Sequence, residues 1–299
     1  MLKALNRAII FYVIFLVLIL LGLNQTGTYL KINLITLNRL RPNSDYLLDL
    51  THGRKRVDQR QLRNYIYYYG TLVRFVKNKT PALGILGLCY YYLGDYDKAR
   101  HLYEKAIKED PRFFWFYNNL GLIYFKQGQH RDAVKIFREA IAANPDTTLK
   151  IMRAEKTYRL MLFETDVNSD YKAFKKMKVY YTHCYHLLVL SYEHLGDYTS
   201  VYDVAHDAIA EELPDQGFFL YYAGLGQLKM GNLPRAIYYL TECIKQYPHY
   251  TKAYAALVTA LTNIGQQQKA QQILIMRSQL DPTKEEPGFD PNTILPQIF

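Results

Sequence analysis

Cysteine is scarce in this chain, and its placement excludes two fold classes. Cys89, Cys184 and Cys243 are odd in number and widely spaced, which fits neither a disulfide framework nor a metal knuckle. Each stands among apolar neighbours and reads as a small buried hydrophobe. Catalytic signatures are missing as well: there is no Gly-rich phosphate loop, no G-x-S-x-G and no H-E-x-x-H, so the chain is not expected to be an enzyme. His183 and His186 stand one helical turn apart with Cys184 between them and His194 beyond, but neither a third ligand nor an acid to order the imidazoles accompanies them. We expect no metal and no cofactor. Acidic residues are nearly missing from the first 80 positions, which hold 3 Asp and Glu against 13 Lys and Arg, and that imbalance is the whole net charge of +10. Residues 81–299 hold 24 of each sign, so the body of the chain lacks the positive excess of a phosphate-binding surface and is not expected to bind nucleic acid.

What the chain has is a period. With 299 residues, 49% of them hydrophobic, it is long enough to bury a sizeable core. Its glycine turns at Gly94, Gly128, Gly196, Gly231 and Gly265 step by 34, 68, 35 and 34, and Pro111, Pro145, Pro214, Pro248 and Pro282 step by 34, 69, 34 and 34. Both sets of markers leave room for one further unit between Pro145 and Pro214, and a period of this size is a solenoid signature. Within the best copy, Gly87 to Pro111, two helices alternate with two stops. Thr80 is placed to cap the first helix, with Pro81 at its first position. Gly94 ends it by adopting the left-handed conformation needed past a helix end. Asp95 or Asp97 caps the second helix, on which Ala99, Tyr103, Ala106 and Ile107 share one face, and Asp110-Pro111 stops it.

These residues resemble the tetratricopeptide repeat family. The match rests on Leu86, Gly87, Tyr90, Gly94, Ala99, Tyr103, Ala106 and Pro111, and again on Leu120, Gly121, Tyr124, Gly128, Ala133, Phe137, Ala140 and Pro145. Looser units follow at Tyr192, Gly196, Asp197 and Ala208, at Gly224, Gly231, Ala236 and Pro248, and at Leu257, Gly265, Ala270 and Pro282. The resemblance covers residues 80–284 and implies an all-α, right-handed superhelical solenoid of antiparallel helix pairs with six slots, of which 148–181 is degenerate. It also implies that the first helix of each pair lines a concave groove. Projected onto this chain, that groove comprises Tyr91, Tyr92, Trp115, Asn118, Leu122, Phe125, Lys126, His183, His186, Leu190, His194, Phe218 and Tyr221. Such an aromatic, amide-containing surface suits a peptide or partner helix, with rings as anchors and Asn118 bonding its backbone. Some members of the family clamp an acidic carboxyl terminus with Lys, Arg and Asn; Gly84, His183 and Leu187 stand at places of that clamp, and the chain departs from it there.

The amino terminus reads differently. Lys3 and Arg7 precede an unbroken apolar run from Ala8 to Leu23. Sixteen residues at helical rise make about 24 Å against a hydrocarbon core of roughly 30 Å. No A-x-A site follows, so we expect residues 1–25 to be an uncleaved signal anchor, a short transmembrane helix that binds membrane lipids. The basic head favours the cytoplasm, leaving the repeats extracytoplasmic, on the periplasmic side if bacterial; a cytosol-facing array on an organelle membrane is the alternative. Residues 26–79 form a basic juxtamembrane segment with a helix capped by Asp58, whose Leu62, Tyr65, Ile66, Tyr69, Leu72, Val73 and Val76 make one stripe ending near Asn78. Its cluster Arg54, Lys55, Arg56, Arg60 and Arg63 is placed for contact with anionic headgroups, or makes a solvated helix face.

Two stretches depart from the period. Lys150 to Phe163 reads as a helix, and nothing then breaks a helix from Asp170 to Leu195. Residues 285–299 carry Pro287, Pro291 and Pro296 and cannot form a long helix; the tail either folds back over the end of the last repeat or docks on a partner. The whole reads as a membrane-anchored protein–protein interaction scaffold or assembly factor that binds a peptide or partner subunit. Its rivals are a structural accessory subunit of a larger membrane complex, and RNA or anionic-ligand binding through residues 26–80.

Overall fold

In the computed structural model the chain turns where its glycines permit it. The model describes residues 45–144, 170–281 and 289–296, with single positions at 42, 147, 148, 150, 154 and 283. The expected anchor 1–25, most of the segment 26–41 and the expected helix 150–163 lie outside the described residues. Among the described residues no helix is long and apolar enough to cross a membrane.

In chain order the helices are α1 (Asp45–Thr51), α2 (Gln59–Leu72), α3 (Thr80–Tyr92), α4 (Tyr96–Glu109), α5 (Phe114–Lys126), α6 (His130–Ala143), α7 (Asp170–Leu195), α8 (Tyr198–Ala210), α9 (Gln216–Lys229), α10 (Leu233–Gln246), α11 (Thr251–Asn263) and α12 (Gln267–Ser278), with a 3-10 turn at Pro291–Thr293. The five marker glycines all have left-handed backbone, φ running from 71° at Gly128 to 82° at Gly231. Each closes the same pair of bonds: Gly94 N–H donates to the Tyr91 carbonyl and Asp95 N–H to the Tyr90 carbonyl, and the pattern recurs after α5, α7, α9 and α11. That is a Schellman end, which satisfies carbonyls the helix would otherwise orphan. Asp95 then caps α4, its carboxylate accepting from Lys98 N–H at 3.2 Å, and Asp197 caps α8 in the same way at 3.1 Å. Thr80 does not cap α3 as its sequence position suggests: it lies inside the first turn, and the Asn78 side chain accepts its N–H at 3.2 Å.

The two helices of a pair bury different amounts. Every α3 residue from Thr80 to Cys89 is buried, whereas α4 buries only Ala99, Tyr103 and Ala106. First helices are thus packed on nearly all sides while second helices form an outer layer with one apolar stripe. The pairs lock where a ring or branched side chain enters a gap left by glycine. A Cβ on Gly121 would stand 2.6 Å from Phe137 Cε1, one on Gly224 2.6 Å from Leu240 Cγ, and one on Gly87 3.0 Å from Tyr103 Cε1. The core runs from α1 to α9, and α9 joins it to a second apolar cluster reaching α12. Cys89, Cys184 and Cys243 are all buried and free.

Asp58 caps α2, accepting from Arg60 N–H at 2.9 Å and Gln61 N–H at 3.3 Å. Leu62, Tyr65, Tyr69 and Leu72 face the core, and α2 packs on α3. The helix ends at Leu72, short of the expected Val76. Ahead of it α1, which has no clear sequence signal, is fixed by the Tyr92 hydroxyl donating to the Leu50 carbonyl at 3.2 Å.

The largest departure from the period is at α7, which spans the expected Asp170–Leu195 but sits directly on α5 and α6. Trp115 meets Tyr180 edge-on at 4.9 Å, Cys184 Sγ donates to Asn118 Oδ1 at 3.2 Å, and His130 stacks on His194 at 4.2 Å. α7 begins inside the expected slot 148–181 and packs directly on α6 and α8. The stack passes from α5–α6 to α7–α8, and the end of that slot is the start of α7. Thr148 reaches back to the start of α5, its hydroxyl accepting Phe114 N–H at 2.8 Å.

Gly121→Ala is expected to lower stability by about 1–3 kcal/mol through overpacking against Phe137, and Gly128→Ala by about 1 kcal/mol or more through its left-handed backbone. Urea unfolding followed by circular dichroism reads both, and an unchanged midpoint for Gly121→Ala refutes the need for the gap.

Candidate functional site

The inner face of the stack is built by α3, α5, α7 and α9, and it gathers rings from helices far apart in sequence. At one end Tyr91 meets Tyr92 edge-on at 5.6 Å, and Lys126 Nζ lies 5.9 Å from the Tyr91 ring centre. Trp115 is 1% exposed and supports the face from below, while Leu122 is fully buried. Asn118 is buried too: its Oδ1 accepts from Cys184 and its Nδ2 donates to Asn119 at 3.4 Å. Its carboxamide joins α5 to α7 and is not presented as the peptide-backbone partner expected from sequence. Phe125 is half-buried, edge-on to His130 at 5.3 Å and to His194 at 6.0 Å. Tyr221 is half-buried beside Tyr222 at 4.9 Å, and the Tyr222 hydroxyl donates to Glu193 Oε2 at 3.0 Å.

The centre of the face is His186. Its ring lies parallel to Phe219 at 4.8 Å and edge-on to Phe218 at 4.4 Å. Nε2 meets Asp215 Oδ2 at 2.9 Å. Asp215 has φ 64°, a left-handed conformation that aspartate tolerates better than most residues, just before α9. His183 stands one turn earlier, 6.1 Å from His186 between ring centres. Sequence reasoning placed both histidines and Phe218 here but missed Asp215, Phe219 and Tyr180. The Pro214-Asp215 turn was the available signal for the first. Among the described residues no group of three or more His, Cys, Asp or Glu is placed to hold a metal ion.

The carboxyl-terminal segment also lies on this face. Phe289 stacks on the other side of His186 at 4.1 Å with 14° between planes, edge-on to Phe218 at 5.7 Å. Ile294 is 4% exposed within the main core cluster, and a Cβ on Gly53 would stand 3.6 Å from Leu295 Cδ1. Residues 289–296 thus run back from α7 and α9 towards the α1–α2 turn. They do not cover the end of the last repeat, where Leu274, Ile275 and Met276 of α12 are each about half exposed. The basic cluster lies beside that turn: Arg54, Lys55, Arg56, Arg60 and Arg63 are all exposed, and Asp49 pairs with Arg54 and Lys55 at 3.1 Å each.

Burial brings the His183 pKa down to about 4, with His186 lowering it further and Asp215 opposing. Burial also lowers His186, against Asp215, and lowers His130, helped by His194. An unfolded imidazole takes its proton near 6.5. The contribution of the neutral ring is therefore complete above pH 6.5 and is lost as pH falls towards 4. Between pH 7.5 and 5 we expect His183 to account for a fall of about 2 kcal/mol in unfolding free energy. His183→Asn should flatten that part of the profile; an identical slope in both chains rejects the assignment.

Three comparisons bear on this architecture. Family models described as TPR repeat and tetratricopeptide repeat match residues 87–128, 114–147 and 227–286. Protein CTR9 homolog of Arabidopsis thaliana is 28% identical over 215 residues, 67% of this chain and 19% of that protein. Stress-induced-phosphoprotein 1 of Caenorhabditis elegans is 34% identical over 62 residues, 21% of this chain and 19% of that protein. The chain spans about a fifth of the length of these curated relatives. The crystal structure of YrrB, described as a TPR protein with an unusual peptide-binding site, superposes with a TM-score of 0.51 at 14% identity, covering 72% of this chain and 93% of that one. Residues 87–147 and 227–286 thus match models of the tetratricopeptide repeat, and the helix pairs from α3 to α12 share the all-α solenoid fold of YrrB.

Proposed function

We infer that this chain is a membrane-anchored interaction scaffold or assembly factor that receives a peptide or a segment of a partner subunit along the face of α3, α5, α7 and α9. One observation carries the reading: the face already holds an irregular, largely non-helical segment, Phe289–Pro296, by ring stacking at one end and aliphatic burial at the other. A surface that seats one short segment has the shape to seat another, with aromatic side chains giving contact area at low entropic cost. The peptide-binding site named for YrrB agrees with this use of the fold.

The anchor rests on the sequence: a basic head and an apolar run from Ala8 to Leu23. In this reading the repeats stand outside the cytoplasm, and the exposed cluster from Arg54 to Arg63 faces the headgroups, at about 1 kcal/mol per charge near the surface.

Tyr221→Ala combined with Lys126→Glu is expected to reduce partner recovery at least tenfold when the full chain is affinity-purified from detergent-solubilised membranes, with helicity unchanged. Full recovery by the folded variant rules out this face as the site. For the cluster, Arg54→Glu, Lys55→Glu and Arg56→Glu together should weaken the chain's salt-sensitive association with vesicles containing phosphatidylserine; association unaffected by the three reversals refutes the headgroup contact. Extraction of the wild-type chain from membranes by alkaline carbonate alone overturns the anchor.

A further inference from the structure

The tail is attached in a way that resembles a ligand more than a structural brace. It is not needed to join the repeats, since consecutive described helices already pack on one another from α2 to α12, α6 on α7 included. Its contacts are divided into three. Phe289 closes over His186, which is held between it and Phe219 with both rings 14° from parallel. Burial lowers the Lys126 pKa, and the charge of Asp290 opposes it. Ile294 and Pro296 are buried, and Leu295 reaches the α1–α2 turn at Gly53. Between these points the segment is pre-shaped: Asp290 Oδ1 accepts the Asn292 N–H at 2.9 Å, and the Thr293 hydroxyl donates to the Asp290 carbonyl at 2.7 Å, fixing the turn Pro291–Thr293.

We propose that Phe289–Pro296 is an internal stand-in for the partner, which closes the groove in cis and is displaced by a peptide of the same chemistry: an aromatic residue with an aliphatic pair five and six positions after the ring. The inference rests on the groove being the binding site. His186 and Phe218 select the ring, and the surface beside Gly53 the aliphatic pair. Tethering makes the closure effective without high intrinsic affinity. A segment this close to the end of α12 has an effective concentration of about 1 mM. If its intrinsic Kd is about 0.1 mM, the groove is free about a tenth of the time and any competitor binds about tenfold more weakly than to an open groove.

The test uses the full chain and a labelled peptide of sequence Phe-Asp-Pro-Asn-Thr-Ile-Leu-Pro, followed by fluorescence anisotropy. Phe289→Ala with Ile294→Ala, which opens the tail without touching the repeats, should bind the peptide at least tenfold more tightly than the wild-type chain. In that background a peptide with Ala in place of Phe should bind at least tenfold more weakly, and one with Ala in place of both Ile and Leu should do the same. Equal binding by wild-type and open-tail chains, or none by the open-tail chain, overturns the proposal. So does a wild-type dimer that dissociates on Phe289→Ala, which gives the tail to a second copy. If peptide binding ignores the tail while Tyr221→Ala with Lys126→Glu still abolishes partner capture, the cis closure fails and the scaffold reading stands. The reverse pair of results sinks the scaffold reading alone.

Discussion

The structure depends on one steric constraint, the entry of a large side chain from the second helix into a glycine gap on the first in the pairs α3–α4, α5–α6 and α9–α10. Phe137 against Gly121 and Leu240 against Gly224 bring the two helices closer than any side chain at those glycines would permit. Close approach allows the first helix to be covered by its own partner on one side and by neighbouring pairs on the others, which is why α3 is buried along most of its length while α4 keeps a solvent face. Short helices of this kind have no independent stability, and the interlocked stack supplies it.

That same arrangement creates the inner face. Because first helices stack on first helices, residues about 30 apart in sequence become neighbours: His186 on α7 meets Asp215, Phe218 and Phe219 at the start of α9. The burial that makes the face dry enough to stack rings also resists charge on His183. Packing, pKa and ligand chemistry at this site share one cause, the exclusion of water from a tightly interlocked inner layer.

The irregular element is α7. Its long unbroken run replaces the glycine-punctuated pair that the period leads one to expect, and it docks directly on α5 and α6 through Trp115–Tyr180 and Asn118–Cys184 contacts. The asymmetry puts three histidines, His183, His186 and His194, on one helix at the middle of the stack. The tail crosses the face at this same place, where the repeat pattern is least regular and the side chains are most distinctive.

The sequence by itself determined the local structure: where helices stop, which residues cap them and which face is apolar. These follow from interactions within a few residues, such as the left-handed backbone at Gly94 and the Asp95 carboxylate on Lys98 N–H, and a chain written in 34-residue units repeats them legibly. It also picked out the first helix of each pair, and the structure buries α3 and α5 along most of their length. Tertiary structure alone decided the rest. A count of residues between Pro145 and Pro214 cannot say that α7 packs directly on α6, since that depends on side chains meeting across space. No local rule couples Phe289 to His186, 103 positions apart. Nor does one turn Asn118 towards Cys184 and away from the groove. Those pairings depend on the curvature and closeness of the assembled stack, which no single repeat encodes.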